Sequence, residues 1–379
     1  MMMRSSRIQG VLALGLGLAA LGLPAGPDGL GLLSLPLGVA ALLVPLAAGL
    51  LLVVRLPAAL RQGLAGGTVI LLAVLAMIWA AGPLHGAAQG GFWALILALW
   101  ALAWHGIDAL SAFAPRSSGL TRATDLMVPI AFGLWLLVLW QVAVTGFGVP
   151  QVLLPSPLAI LSTLVANTTT LWADFRQTFL KAVLAGYLIG CGAGLVVAIL
   201  VDRVPFLQRG LLPLGNFVSA LPVIGIAPIM VMWFGFDWQS KAAVVVIMTF
   251  FPMLVNAVSG LHAAGRIESE LIRTYAAGYW QTLFKLRLPA AMPFLFNALK
   301  INSTLALIGA IVAEFFGTPT VGMGFRISTE VGRMALDMVW AEIVVAAVAG
   351  SAFYGLMTLL ERKVTFWHPS VRSTSRSNG

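Results

Sequence analysis

The chain has 379 residues, of which 60% are hydrophobic and only 9% are charged, and its mean hydropathy is +0.98. Apolar runs of about 20 residues recur along it, each long enough to cross a bilayer, which excludes a soluble protein with one large core. The formal net charge of +9 does not indicate nucleic acid as a partner, because the basic residues are scattered in short loops instead of forming a stripe.

Ten apolar segments predict transmembrane helices. Such runs suit helices better than barrel strands, because each backbone polar group in the hydrocarbon must be paired within its own segment. The predicted fold class is all-α and polytopic, with four N-terminal helices followed by a six-helix core. In chain order the predicted spans cover about residues 8–25, 34–54, 66–82, 91–107, 126–146, 177–201, 211–234, 242–261, 291–313 and 339–360.

The first span has two interpretations. Residues 8–25 follow Arg4 and Arg7 and end near Leu-Pro-Ala-Gly, features that describe either a cleaved signal peptide or a first membrane helix. Further apolar runs follow at once, so we favour a retained helix and leave cleavage open.

A polar segment divides the chain. Pro115, Ser117, Ser118 and Gly119 within residues 109–125 predict a cytoplasmic linker between an N-terminal extension, 1–108, and a core, 126–368. A polar tail, 369–379, follows the core. The extension is rich in Leu, Ala and Gly, which suggests helix packing or anchoring as its role.

The distribution of basic residues predicts the orientation, since cytoplasmic loops carry an excess of Lys and Arg. With a cytoplasmic N-terminus, five of the 22 basic residues fall on the far side and 22 − 5 = 17 fall on the cytoplasmic side. Both termini and residues 262–290 are then cytoplasmic. The five on the far side are Arg176, Lys181, Lys241, Arg326 and Arg333.

Nothing in the sequence indicates bond-making chemistry. The single cysteine, Cys191, cannot form a disulfide within the chain, and the four histidines match no metal-ligand spacing. No G-x-S-x-G or H-E-x-x-H arrangement occurs, and no lysine follows a glycine as a phosphate-binding P-loop requires. We therefore predict no catalytic residue, no metal site and no cofactor bound by this chain.

Residues 268–289, ESELIRTYAAGYWQTLFKLRLP, are unusually polar for this chain. Their pattern predicts two short amphipathic helices, with a bend at Gly278 and a stop at Pro289. Such an element suits the membrane surface, where Arg273, Lys285 and Arg287 would meet anionic lipid. It equally suits a groove on a partner protein.

The same segment resembles the EAA loop of the membrane permeases of bacterial ATP-binding-cassette importers. The family pattern is Glu-Ala-Ala, three residues, Gly, nine residues, Ile, one residue, Leu-Pro. Here Glu270 takes the acidic position, Ala276 the glycine position and Leu286 the isoleucine position, before Leu288-Pro289. Leu271-Ile272 and Ala276 depart from the family's alanines and glycine.

Two further stretches extend the resemblance to about residues 126–368. Residues 220–235 and 240–261 are similar to the subgroup serving nitrate, taurine, alkanesulfonates and related small solutes, and residues 147–157 resemble its external segment. The resemblance implies a permease of a bacterial inner membrane that carries a nitrate-like, sulfonate-like or pyrimidine-type solute.

The resemblance also implies partners. Residues 262–290 would dock on cytoplasmic ATPase subunits that bind the ATP, a solute-binding protein would deliver the cargo outside, and a second permease copy would complete the pathway. By analogy the contact residues are Glu270, Arg273, Thr274, Ala276, Gly278 and Trp280, with Pro289 ending the element.

A translocation path is predicted along the seventh span, where prolines free backbone carbonyls that are tolerated beside a cavity. Embedded acids are costly, so Glu314, and less strongly Glu342, are further candidates. The alternative is an ion-coupled secondary transporter, although no ionisable residue is convincingly central. The candidates on the seventh span are Asn216, Ser219, Pro222, Pro228, Met230 and Trp233.

Overall fold

The computed structural model describes residues 2–25, 86, 88–111, 118–204, 206–207, 209–211, 213, 222–317 and 320–367. Within these ranges the regular structure is helical and no strand occurs, which confirms the all-α class. The predicted spans at 34–54 and 66–82 lie outside the described residues. By contact density the chain forms two compact units, Met1–Leu161 and Ser162–Gly379.

The first unit contains α1 (Met2–Gly22), α2 (Gly90–Ser111) and α3 (Ser118–Gly146). Helices extend into both ends of the predicted linker, because hydropathy marks the thickness of the bilayer and not the end of a helix. The side chains that fill this unit include Ala13, Ala20, Leu95, Leu99 and Trp135. The short helix α4 (Pro157–Ala166) crosses the boundary between the units.

Two long helical rods dominate the second unit. The first comprises α5 (Thr168–Phe175), a π-helical stretch (Arg176–Val183) and α6 (Leu184–Arg203). We call these 36 residues, Thr168–Arg203, the first rod. Next come α7 (Val223–Phe234) and α8 (Trp238–Leu261).

The polar segment follows as α9 (Arg266–Thr274) and α10 (Tyr279–Thr282). A π-helical turn (Leu283–Arg287) joins α10 to α11 (Leu288–Glu314), so that Tyr279–Glu314 is a second continuous rod of 36 residues. The chain ends in α12 (Met323–Gly332) and α13 (Leu336–Val364).

The first rod packs on α8 through glycines spaced four residues apart. A Cβ built on Gly186 would lie 2.5 Å from Cβ of Val245, and one on Gly194 would lie 2.6 Å from the carbonyl oxygen of Phe250. Small residues in this register let two membrane helices approach closely. The contact aligns α6, α8 and α11 around one buried apolar cluster.

Five helices among the described residues are long and apolar enough to cross a membrane, which confirms a polytopic membrane protein. The predicted total of about ten spans remains a prediction. The five are Pro129–Gly146, Thr168–Arg203, Trp238–Leu261, Tyr279–Glu314 and Leu336–Val364.

Candidate functional site

Helix α9 presents an apolar stripe that the chain itself does not cover. None of its residues is buried. Ile267, Leu271 and Tyr275 follow one another at intervals of four residues and are 80%, 56% and 78% exposed. Residues at this spacing share one side of a helix. An exposed apolar stripe with polar surroundings is typical of a contact with another protein or with lipid.

The polar residues of α9 are also exposed. Glu270 pairs with Arg266 at 3.1 Å, but both side chains are open to solvent, and such a pair contributes only about 0.3–0.5 kcal/mol. The Thr274 hydroxyl donates to the carbonyl oxygen of Leu271 at 2.6 Å, and Arg273 stands in the last helical turn. Glu270, Arg273 and Thr274 are therefore accessible to a partner.

The bend after α9 lies at Ala276, not at Gly278 as the sequence suggested. Ala276 has φ +51°, whereas Gly278 has φ −69° and ψ 168°, which any residue adopts. The Ala276 amide donates to the carbonyl of Arg273 at 2.9 Å and the Ala277 amide to that of Ile272 at 3.4 Å. These two hydrogen bonds form the C-terminal cap that usually has glycine at this position. The left-handed conformation costs alanine about 1 kcal/mol.

Pro289 does not stop the helix that begins at Tyr279, which corrects the expectation from the sequence. It lies in the first turn of α11, directly after the π-helical turn Leu283–Arg287. Proline is tolerated in a first turn, and the wider turn before it separates its ring from the preceding carbonyls. The second half of the polar segment is thus the start of the second rod.

Asp202, which the sequence analysis did not single out, anchors this second half. Its side chain is fully buried at the end of α6. Oδ2 accepts hydrogen bonds from Nη1 of Arg287 at 2.6 Å and from the Tyr279 hydroxyl at 3.0 Å. Nε2 of His262 lies 3.2 Å from Oδ1, an ion pair when the imidazole is protonated. Arg287, which the sequence suggested as a lipid contact, thus pairs with a buried carboxylate of its own chain.

Arg203 adds a second connection at the same place. Its guanidinium lies 5.5 Å from the ring centroid of Tyr279 and 5.9 Å from that of Trp280. Trp280 in turn stacks on Phe284, with the centroids 6.1 Å apart. The cation–π contacts fix the start of α10 while Trp280 remains about half exposed.

At the far end of both rods, buried acids bind the start of α12. Asp174 accepts from the Gly322 amide at 2.6 Å and from Nε of Arg326 at 2.9 Å. Glu314 accepts from the Thr178 hydroxyl at 2.8 Å and from the Gly324 amide at 2.7 Å. The predicted path residue Glu314 is therefore a buried structural acceptor in this structure.

Two other buried charged groups lie near this end. Lys241 donates to the carbonyl oxygens of Phe236, at 2.5 Å, and of Gly317. Glu342 is fully buried in α13, and neither of its carboxyl oxygens has a hydrogen-bond partner.

The other predicted path residues occupy different environments. Pro222 precedes α7, and Pro228 lies inside that helix without breaking it. Met230 is buried beside Ala227 on α7, whereas Trp233 is largely exposed. These residues remain candidates; Asn216 and Ser219 lie outside the described residues.

A cavity of about 610 Å³ opens beside α5 and the start of α8. It is lined in part by Arg176, Gln177, Lys181, Phe236 and Asp237. A hydrogen bond from Gln177 lowers the pKa of Asp237, so this carboxyl group is ionised at neutral pH. The described residues contain no group of three or more His, Cys, Asp or Glu placed to hold a metal ion.

Comparison with known proteins connects this architecture to a family. Residues 186–366 match the family model described as "Binding-protein-dependent transport system inner membrane component". A formylaminopyrimidine transport permease protein of Halalkalibacterium halodurans is 33% identical over 252 residues, which are 65% of this chain and 98% of the relative. The chain belongs to this family of transport permeases. The match includes α9, α10 and the anchor at Asp202.

Other relatives are also named as transport permeases. A riboflavin transport system permease protein of Chloroflexus aurantiacus is 31% identical over 68% of this chain and 96% of its own length. A putative aliphatic sulfonates transport permease protein of Bacillus subtilis is 29% identical over 62% and 85%. The chain is thus the membrane-spanning permease subunit of an ATP-driven importer, not an enzyme, and the family does not support the ion-coupled alternative. ATP hydrolysis belongs to a separate subunit.

Proposed function

We propose that α9 and the bend at Ala276 are the surface on which the ATPase subunit docks. The observation that carries this proposal is the uncovered stripe of Ile267, Leu271 and Tyr275 on a helix with no buried residue. Glu270, Arg273, Thr274, Gly278 and Trp280 surround the stripe and would form the polar rim of the contact. We call Arg266–Arg287 the coupling segment.

The proposed action is mechanical. Closure of the ATPase subunits on nucleotide would displace α9, and the displacement would pass through the bend into the second rod. Because Tyr279–Glu314 is one continuous helical rod, movement at its Tyr279 end would reach its other end. There Glu314 accepts a hydrogen bond from the Gly324 amide of α12. The permease would supply the path and the ATPase the energy.

The setting follows from the family and from the charge distribution. We infer that the permease lies in a bacterial inner membrane with both termini and the coupling segment in the cytoplasm. A second copy of the chain completes the path, and a solute-binding protein delivers the cargo from outside. The names of the relatives suggest a small solute of the pyrimidine, vitamin or sulfonate type as that cargo.

The docking surface can be tested with Leu271→Asp. Placing a charge in the middle of the stripe should weaken association with the co-expressed ATPase at least tenfold, since central apolar contacts dominate most interfaces. Co-purification and titration of the purified ATPase onto permease in nanodiscs measure the effect.

Met334→Asp is the matched control. Met334 is a similarly exposed apolar residue, but it follows α12 at the far end of the second unit. This variant should bind the ATPase as tightly as the unchanged chain does. Equal binding by the Leu271→Asp variant would exclude α9 as the docking surface.

A further inference from the structure

The coupling segment is joined covalently to only two of the three central helices. α8 ends at Leu261, shortly before the segment, and the second rod begins inside the segment at Tyr279. The first rod is connected to the segment only by noncovalent contacts, among them those of Asp202 and Arg203 and a hydrogen bond from the Tyr279 hydroxyl to the carbonyl oxygen of Ile199 at 3.4 Å. The Asp202 contacts are therefore a direct route by which movement of the coupling segment can reach the first rod.

The Asp202 contacts are suited to transmit movement of the coupling segment to the first rod. The carboxylate is fully buried and bonds to both ends of the stretch Tyr279–Arg287. His262, at the end of α8, approaches its other oxygen. Separating a buried carboxylate from its guanidinium partner leaves an uncompensated charge, so the cluster resists being pulled apart.

The opposite end of the first rod also makes polar contacts, with the start of α12. Asp174 and Thr178 lie about 40 Å from Asp202 at the helical rise per residue. Asp174 binds the Gly322 amide and Arg326, and Thr178 accepts from the Met323 amide at 2.8 Å. The same rod thus carries one polar cluster against the coupling segment and another against the start of α12.

We propose that Asp202 is a positioning residue that couples the first rod to the coupling segment, so that docking-driven movement reaches the start of α12, at Gly322–Arg326, along both rods. The inference rests on the proposed docking of the ATPase. It assigns Asp202 a role in transmitting movement, separate from the binding of the ATPase by α9.

The test uses the full chain with its ATPase in nanodiscs, carrying Cys191→Ser and the single reporter Ser328→Cys on α12. The reporter's reaction rate with a water-soluble maleimide is measured with and without ATP and vanadate. With Asp202 intact we expect the nucleotide to change the rate at least threefold. In Asp202→Asn the ATPase should still bind and hydrolyse ATP, but the change should fall below 1.5-fold.

Two variants complete the design. Glu361→Gln is the matched control, because it removes a partly buried ion pair, with Lys300 at 2.8 Å, that does not touch the coupling segment. It should keep the full response. Tyr279→Phe removes the hydroxyl that bonds to Asp202 at 3.0 Å and, more weakly, to the carbonyl oxygen of Ile199 at 3.4 Å, but it leaves the Arg287 pair. It should give an intermediate response, which carries the test if Asp202→Asn does not fold.

The outcomes separate this inference from the proposed function. If no variant, including the one with Asp202 intact, binds the ATPase, the docking proposal fails and this inference fails with it. If binding is normal and Asp202→Asn responds like the Glu361→Gln control, only the role of Asp202 is overturned. An unchanged rate in every complex would likewise overturn the transmission to α12.

Discussion

Ala276 occupies the position at which the EAA pattern has glycine. It adopts the left-handed conformation that favours glycine. Its φ of +51° closes α9, while the displaced Gly278 has an ordinary φ. The backbone thus turns at the position where the family pattern has glycine, although the residue there is alanine. The permease accepts a strained alanine at the point where the coupling segment turns.

Ala276→Gly should relieve this strain. Glycine removes a left-handed strain of about 1–2 kcal/mol but loses about 0.5–1 kcal/mol more backbone entropy. The end of α9 should therefore gain about 0.4–1 kcal/mol, which slows local opening about twofold to fivefold. Hydrogen–deuterium exchange of peptides covering residues 266–278 measures the change. Ala277→Gly is the control: Ala277 does not have a positive φ, so this variant should exchange faster. Slower exchange in both variants would contradict the assignment of the strain to Ala276.

At the scale of elements, the contact between α6 and α8 depends on Gly190. A Cβ there would lie 2.9 Å from the carbonyl oxygen of Val246 and against the Thr249 hydroxyl. Gly190→Ala should therefore force the helices apart and destabilise the second unit by about 1–3 kcal/mol. Thermal unfolding in nanodiscs, followed by intrinsic fluorescence, should show a lower midpoint.

The same helix supplies the control for this prediction. Gly192 lies two residues away, and a Cβ there would meet no atom within 4 Å. Gly192→Ala should leave the midpoint unchanged or raise it, because alanine is the better helix former. A similar fall in both variants would mean that the close packing at Gly190 is not responsible.

The helices also show which features can be predicted from a single sequence. Long apolar runs predicted the five long helices well, because hydrophobic length is a local property. The bend at Ala276 and the passage of the helix through Pro289 were not predicted, because a strained residue and a π-helical turn depend on surrounding packing. Asp202 was missed for a related reason: its three partners lie 60 to 85 positions further along the chain.

At the scale of the whole molecule, the family accounts for only part of the chain. The relatives match about two thirds of it, and the family model begins at residue 186. Helices α1, α2 and α3 share a buried cluster of their own within the first unit. This cluster joins α1 and α2, from the predicted extension, to α3, most of which lies in the predicted core. The coupling segment and the second rod lie inside the part that the family model matches, residues 186–366.

The orientation of the whole permease is the last prediction. α11 has 27 residues, about 40 Å at the helical rise, which exceeds the hydrocarbon thickness of about 30 Å. We therefore expect its two ends to face opposite sides, and the excess of basic residues predicts that the coupling segment is cytoplasmic. In a Cys191→Ser background, Glu268→Cys should react with an impermeant maleimide only in inside-out vesicles, and Ser328→Cys only in intact cells. Reaction of the Glu268→Cys variant from outside intact cells would invert the topology and remove the docking surface from the ATPase's reach.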